Sequence, residues 1–161
     1  MPYLSNPALP FIREDYPGNR FENGQFLNDA HIEFEQTSFW EVVKWQIGKN
    51  PQKAEKKADE FILEVIPGAD FVTDDRDLIV WLGHASFFIR LAGVSFLTDP
   101  CLRSLPMIPR KVGLPCEIRE LKGIDYLLLS HGHRDHFDKP SLQKIIPNNF
   151  GIEALVPLKL G

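Results

Sequence analysis

Three of the five histidines in the 161-residue sequence lie within six positions, at His131, His133 and His136, and Asp135 stands among them. Residues two apart in an extended segment point to the same side, so His131, His133 and Asp135 can project together. Imidazole suits zinc, iron, nickel and copper, whereas carboxylate is a harder ligand that suits a second, water-bearing ion. The pattern predicts that His131 and His133 bind one metal ion and that Asp135 and His136 bind a neighbouring one.

The elements around this cluster are those expected to present it to a cleft. Residues 124–129 form an apolar run that predicts a buried strand. Asp138 and Pro140 are typical of a helix start, because Asp caps a helix and Pro fits its first turn. An ordinary hydrogen-bonded histidine is the alternative for any one position, but it does not account for four such residues in one strand-to-helix loop.

The His-x-His-x-Asp-His segment resembles the signature of the metallo-β-lactamase superfamily. The resemblance extends upstream through residues 81–86 and 96–100, and the combination is similar to the branch of N-acyl-phosphatidylethanolamine phospholipase D and its bacterial relatives. Ascorbate-6-phosphate lactonases are a more distant match. The resemblance implies an α/β fold, a four-layer αββα sandwich. Its first half would occupy residues 76–161, after an irregular and helical N-terminal extension over residues 1–75.

The same resemblance implies roles for two upstream residues. Asp99 matches an aspartate that accepts the free N–H of a ligand histidine and fixes its tautomer. The alternative is that Asp99 is only a turn residue before Pro100. His84 matches a histidine that lies close to the site as a supporting or substrate-side residue, and a buried histidine bonded to backbone is the alternative. His31 matches no motif.

The resemblance also implies the cofactor and the chemistry. We expect two divalent ions, zinc first and iron or manganese as alternatives, and a metal-bound hydroxide that attacks a phosphodiester of the N-acyl-phosphatidylethanolamine type. Asp135 would be the catalytic residue that orients the nucleophile. Two alternatives stay open: a lactonase of a phosphorylated sugar acid, and a metal-binding fragment without catalytic activity.

The ligand count is short of what a two-metal site of this superfamily needs. Such a site takes a further histidine for each ion and a carboxylate that bridges both. After His136 the sequence has no histidine, and its only acidic residues are Asp138 and Glu153. We therefore expect that a missing C-terminal half or a partner chain completes the site.

Composition narrows the classes of partner and compartment. The apolar fraction is 43%, which suits a globular core, and the formal charge of -4 gives no reason to expect a nucleic-acid partner. No segment predicts a signal peptide or a transmembrane span. Cys101 and Cys116 are predicted as free thiols rather than a disulfide, which favours a cytoplasmic location, with peripheral membrane contact as an additional option.

The remaining elements follow from caps, turns and periodicity. Ser38 and Glu41 form a capping box for a helix that ends near Gly48, and its apolar side chains are predicted to face a core. The charged stretch from Lys49 to Glu60 is predicted to be a surface helix or linker. Strands are predicted at residues 78–82, 86–91 and 94–98 with antiparallel pairing, then at 124–129 and 155–157, with a helix at 141–146. Before the first helix, an irregular arm is predicted to be pinned by the rings of Phe11, Tyr16, Phe21, Phe26 and Phe34.

Overall fold

The protein is represented by a computed structural model, which describes residues 3–5, 15–27, 37–106, 109–157 and 160. The chain divides into two compact units, Met1–Lys57 and Ala58–Gly161. The domain boundary predicted near residue 75 stays a prediction. His31, Phe11 and Phe34 lie outside the described residues.

The first unit contains short strands and an exposed helix. The strands β1 (Tyr3–Leu4), β2 (Asn19–Glu22) and β3 (Gln25–Phe26) pair antiparallel in that order. The rings of Phe21 and Phe26 lie 5.0 Å apart across one of these pairs. This ring contact lies within the arm itself, so the pinning of the arm by its rings stays a prediction.

Helix α1 (Phe39–Ile47) begins at the predicted capping box. The Ser38 hydroxyl accepts from the Glu41 amide at 3.2 Å, and the Glu41 carboxylate accepts from the Ser38 amide at 2.7 Å. The predicted core-facing stripe is wrong, because no α1 residue is buried and Trp45 and Ile47 are 79% and 81% exposed. Periodicity identifies apolar positions on a helix, but it does not say whether another element covers them.

Helix α2 (Lys53–Ala58) is short, charged and exposed, which confirms the predicted surface helix. In the second unit the chain forms a five-stranded sheet in the order β4-β5-β6-β7-β8. The first three strands pair antiparallel, as predicted, and the last two join in parallel. The strands are β4 (Leu78–Gly83), β5 (Ser86–Leu91), β6 (Val94–Thr98), β7 (Tyr126–Leu128) and β8 (Glu153–Leu155).

One face of the sheet forms the core. Phe88 and Leu97 are fully buried on neighbouring strands, and Leu127 follows them on β7. Helix α3 (Lys139–Ile145) adds Leu142 and Ile145 to the same cluster. The parallel order of β6 and β7 brings their carboxyl ends together, and α3 begins beside that edge. The core thus supports the loop that carries the histidines.

The opposite face of the sheet, here called the open face, also carries apolar side chains on every strand. These side chains are less buried than those of the core face. Strand pairing places its members in two rows, because directly paired residues share one face. Ile79 and Trp81 on β4 are 70% and 51% exposed. Phe96 and Tyr126 stack with ring centroids 5.6 Å apart. The rows are Ile79, Ile89, Phe96, Tyr126 and Glu153, then Trp81, Phe87, Thr98, Leu128 and Leu155.

The described residues include both cysteines, which were predicted to be free thiols. Cys101 is buried and Cys116 is half-buried, and both are free thiols. Within the described ranges, no helix has the length and apolar character that a membrane crossing requires.

Candidate metal centre

The histidine-rich segment is a loop between β7 and α3, as predicted. A turn shapes it, because the amides of His136 and Phe137 both donate to the carbonyl of His133, at 3.0 and 2.7 Å. Asp138 then caps α3 by accepting from the Ser141 amide at 3.1 Å and from the Ser141 hydroxyl at 2.7 Å. The turn and the cap hold the second half of the loop, from His133 to the start of α3.

Asp99 ties this loop to the end of β6. Its carboxylate is 6% exposed and accepts from the Ser130 amide at 2.7 Å and the Ser130 hydroxyl at 2.6 Å. The same carboxylate lies 2.9 Å from Nδ1 of His136. With the proton on Nδ1 donated to Asp99, Nε2 of His136 keeps a free lone pair, which is the form that binds a metal.

This arrangement favours the ionised form of the Asp99 carboxyl. Burial alone raises the pKa of the Asp99 carboxyl, but the hydrogen bonds from His136 and Ser130 outweigh it and hold the pKa below its ordinary value. Asp99 is therefore a carboxylate near neutral pH and acts as an acceptor for both neighbours.

A second group forms around Asp135. Nε2 of His84 lies 3.0 Å from Oδ2 of Asp135, and Nε2 of His136 lies 3.7 Å from the same oxygen. One ligand atom from each of His84, Asp135 and His136 falls within 4.8 Å of the other two. The Asp135 backbone amide and then His84 lower the pKa of the Asp135 carboxyl. The three residues thus offer two imidazole nitrogens and a carboxylate to one point.

His131 and His133 form a neighbouring pair. Nε2 of His131 lies 3.0 Å from Nδ1 of His133, and Nδ1 of His131 lies 2.8 Å from the Ser130 hydroxyl. The rings of His131 and His136 are 4.1 Å apart, so the pair adjoins the group around Asp135. Two imidazole nitrogens at this distance can form an N–H···N hydrogen bond or can both face one metal ion. The donor set of four imidazoles and one carboxylate fits divalent transition metals.

The structure brings together all the residues proposed from the sequence. His84 makes its contact with Asp135 directly, although sequence reasoning gave it only a supporting role. Ser130 was not predicted, and only its position between the strand and the first histidine could have signalled it. The assignment of these side chains as ligands stays a prediction, and their convergence supports it.

Two of these residues have an uncommon backbone conformation. His84 has φ of 52° and Asp99 has φ of 35°, both in the left-handed region that non-glycine residues rarely adopt. Gly83, just before His84, has φ of 105°. Residues held in such conformations concentrate at functional sites, so the geometry agrees with the proposed roles.

A cavity of about 380 Å³ opens beside His84 and Asp135. Its wall is largely apolar, and cationic side chains also line it. The apolar members are Phe61, Ile62, Leu63, Trp81, Leu105 and Val112, and the cationic members are Arg103, Arg110 and Lys111.

Comparison with known proteins finds a family model that matches the sheet and the histidine loop. The Beta-lactamase superfamily domain matches residues 78–154, a range that includes the sheet, Asp99 and the whole histidine loop. The predicted resemblance to the metallo-β-lactamase superfamily is confirmed. The α/β fold class predicted from that resemblance is confirmed with it.

Two curated relatives extend the comparison. N-acyl-phosphatidylethanolamine-hydrolyzing phospholipase D 1 of Caenorhabditis elegans is 28% identical over 99% of this chain and 48% of its own length. A UPF0173 metal-dependent hydrolase of Azorhizobium caulinodans is 43% identical over 36% of this chain and 22% of its own length. The chain therefore spans about half or less of the relatives it matches, and both relatives carry the names of hydrolases.

A solved structure also overlaps the chain. CmlA, a diiron beta-hydroxylase from Streptomyces venezuelae, is 27% identical over 54% of this chain and 16% of its own, with a TM-score of 0.38. This overlap is too loose to add to the family match.

Proposed function

We propose that this chain forms part of a metal-dependent hydrolase that cleaves a phosphodiester of the N-acyl-phosphatidylethanolamine type. The observation that carries the proposal is the convergence of His84, Asp135 and His136 on one point, with His131 and His133 beside it. Two divalent ions, zinc in our proposal with iron or manganese as alternatives, would supply a hydroxide nucleophile at neutral pH and polarise the phosphoryl group.

The chain's own residues have separable roles in this proposal. His131 and His133 hold one ion, while Asp135 and His136 hold the other. Asp135 would also orient the attacking oxygen, because it alone among these five residues is a carboxylate and can act as an anionic acceptor. Asp99 keeps Nε2 of His136 free of its proton, as its contact with Nδ1 requires.

The cavity beside the cluster supports a phospholipid over a phosphorylated sugar acid. Its wall of apolar side chains would bury part of an acyl chain, which a sugar lacks. Three cationic side chains, Arg103, Arg110 and Lys111, outnumber the two carboxylates of the same lining, Asp59 and Asp135, which suits an anionic phosphodiester. The relative from C. elegans carries the name of an enzyme for such a lipid.

The open face supports a second part of the proposal, that further polypeptide completes the catalytic unit. Contiguous exposed apolar surface of this kind is costly in water and marks an interaction site. Ile79 and Trp81 lie at the outer strand of this face, and Leu155 lies on the strand at its far side. A missing C-terminal half or a partner chain would cover it and bring the additional metal ligands.

We also propose that the protein works in the cytoplasm and touches a lipid surface from that side. The free thiols of Cys101 and Cys116 support a reducing compartment. The contact with a lipid surface is proposed because a phospholipid substrate resides in a membrane.

Activity on lipid vesicles tests the proposed function. The metal-loaded chain, alone and together with the further polypeptide proposed above, is mixed with vesicles that contain N-acyl-phosphatidylethanolamine, and released N-acylethanolamine and phosphatidic acid are measured by mass spectrometry. We expect release that Asp135→Asn abolishes and that Asp125→Asn leaves in place, since Asp125 lies at the other end of β7, where its carboxylate accepts from the Ser95 amide.

The two alternatives give different results in the same experiment. Turnover of a phosphorylated sugar lactone without lipid turnover would identify the lactonase. Bound metal with no turnover of any ester by either form of the protein would identify a non-catalytic metal-binding chain and would overturn the proposal.

A further inference from the structure

Arg110 is a half-buried arginine whose guanidinium contacts backbone rather than acid. It donates to the carbonyl of Leu82, to that of Cys101 at 3.4 Å and to that of Val112 at 3.4 Å. Among the described residues, the ion pairs of the chain include no carboxylate partner for it. Its hydrogen bonds therefore serve to hold three backbone segments together.

Two of those segments flank the metal centre. Leu82 is the second-last residue of β4, just before the turn that carries His84, and Cys101 follows the end of β6 and Asp99. The guanidinium also lies flat against the turn, because a Cβ on Gly83 would come within 2.7 Å of one of its nitrogens. Only glycine allows this close approach at residue 83.

The ring of His84 depends on this turn for its position. Its hydrogen bond among the described residues is to Asp135, at 3.0 Å, its ring makes a T-shaped contact with the His136 ring at 5.1 Å, and its side chain is 38% exposed. The backbone of His84 is held in the left-handed region, with its carbonyl bonded to the Trp81 indole at 2.8 Å. Arg110 and Trp81 therefore both donate to backbone carbonyls at this turn, those of Leu82 and His84.

We propose that Arg110 is a positioning residue, which clamps the Gly83–His84 turn to the loop after β6 so that the His84 imidazole faces Asp135. The guanidinium suits this role because its planar fork can donate to several carbonyls at once, which a lysine ammonium does less well. The inference concerns the geometry of His84 and holds whether or not the proposed lipid is the substrate.

Chemical labelling of the metal-free 161-residue chain tests the clamp. Diethyl pyrocarbonate acylates unprotonated imidazole nitrogen, and peptide mass spectrometry gives a separate rate for His84, His131 and His133. In the intact protein Nε2 of His84 is shielded by Asp135. Arg110→Ala is expected to raise the His84 rate about threefold or more relative to the other two, because a segment that loses charge-assisted hydrogen bonds opens more often.

Two further measurements separate positioning from simple stabilisation. Free guanidinium at low millimolar concentration is expected to restore the slow His84 rate in Arg110→Ala, and Arg110→Lys is expected to give an intermediate rate. Arg90→Lys is the matched control, because Arg90 also donates to backbone carbonyls, those of Val72 and Asp74, but at the far end of β5. It should change thermal stability and leave the His84 rate unchanged.

The proposal is overturned by either of two outcomes. One is an unchanged His84 rate in both folded Arg110 variants. The other is an equal rise for all three histidines, since that result assigns Arg110 to the stability of the fold alone.

Discussion

Replacement of Asp99 by asparagine is expected to weaken metal binding without unfolding the protein. The amide oxygen of asparagine can still accept from the Ser130 amide, and its NH₂ group can donate to the Ser130 hydroxyl, which is free to rotate. The NH₂ group cannot accept from Nδ1 of His136, so the imidazole proton shifts to Nε2 and occupies the lone pair that faces Asp135.

The size of the effect follows from the single contact that is lost. A hydrogen bond to a charged group contributes about 1.5–3 kcal/mol. Each tenfold change in affinity corresponds to about 1.4 kcal/mol, so the loss agrees with the 10–100-fold range typical of a residue that orients a ligand histidine. We expect the affinity for zinc or cobalt of Asp99→Asn to fall by roughly that factor.

Chelator competition measures this affinity, and thermal unfolding of the metal-free protein checks the fold. Asp125→Asn is the matched control, because its carboxylate accepts from the Ser95 amide at 2.7 Å, far from the histidine loop. Wild-type affinity in Asp99→Asn would mean that Asp99 is only a turn residue, and equal losses in both variants would assign the effect to general destabilisation.

Three further predictions follow from the site and its support. The double change of His131 and His133 to alanine should lower the metal content of the purified protein about tenfold or more, measured by elemental analysis, because metal affinity depends on these ligands; unchanged stoichiometry would exclude them. Residues 1–161 alone should hydrolyse bis-nitrophenyl phosphate no faster than free metal, because two further histidines are needed; saturable turnover that His131→Ala abolishes would contradict this. Burial raises the pKa of the Asp138 carboxyl, but the hydrogen bonds from Arg103 and Ser141 outweigh it and hold the pKa below its ordinary value. Its stabilising effect is therefore present above about pH 4 and lost as pH falls. Because solvent screens the half-exposed Arg103, Asp138→Asn should reduce the free energy of unfolding near pH 7 by only about 1 kcal/mol and lessen its fall in acid, as measured by urea denaturation.

Local signals in the sequence were enough to predict most elements of the second unit. The strands at β4, β5 and β6 follow from apolar runs and a tight turn at residues 92–93, and the start of α3 follows from Asp138 and Pro140. These features depend on residues close together in the chain, so they can be predicted before any tertiary contact is known. The last strand was predicted two residues late, because its exposed side chains lack a strong apolar pattern.

Contacts between residues that are far apart in the sequence could not be predicted from such local signals. The sequence alone left Asp99 between a turn residue and a partner of histidine, and only the parallel pairing of β6 with β7 brings it to Ser130 and His136. The contact between His84 and Asp135 spans 51 positions and depends on the same folding of the sheet. The surroundings of α1 were mistaken for a core, because a periodic pattern carries no information about the element that covers it.

The left-handed backbone at His84 has a consequence for protein engineering. A non-glycine residue in that region costs roughly 1–2 kcal/mol, which glycine would largely avoid. Selection for thermal stability alone would therefore favour glycine at position 84 and remove an imidazole from the candidate centre. Efforts to make the protein more robust should exclude this position from their libraries, since at this turn a more stable chain would be a less complete site.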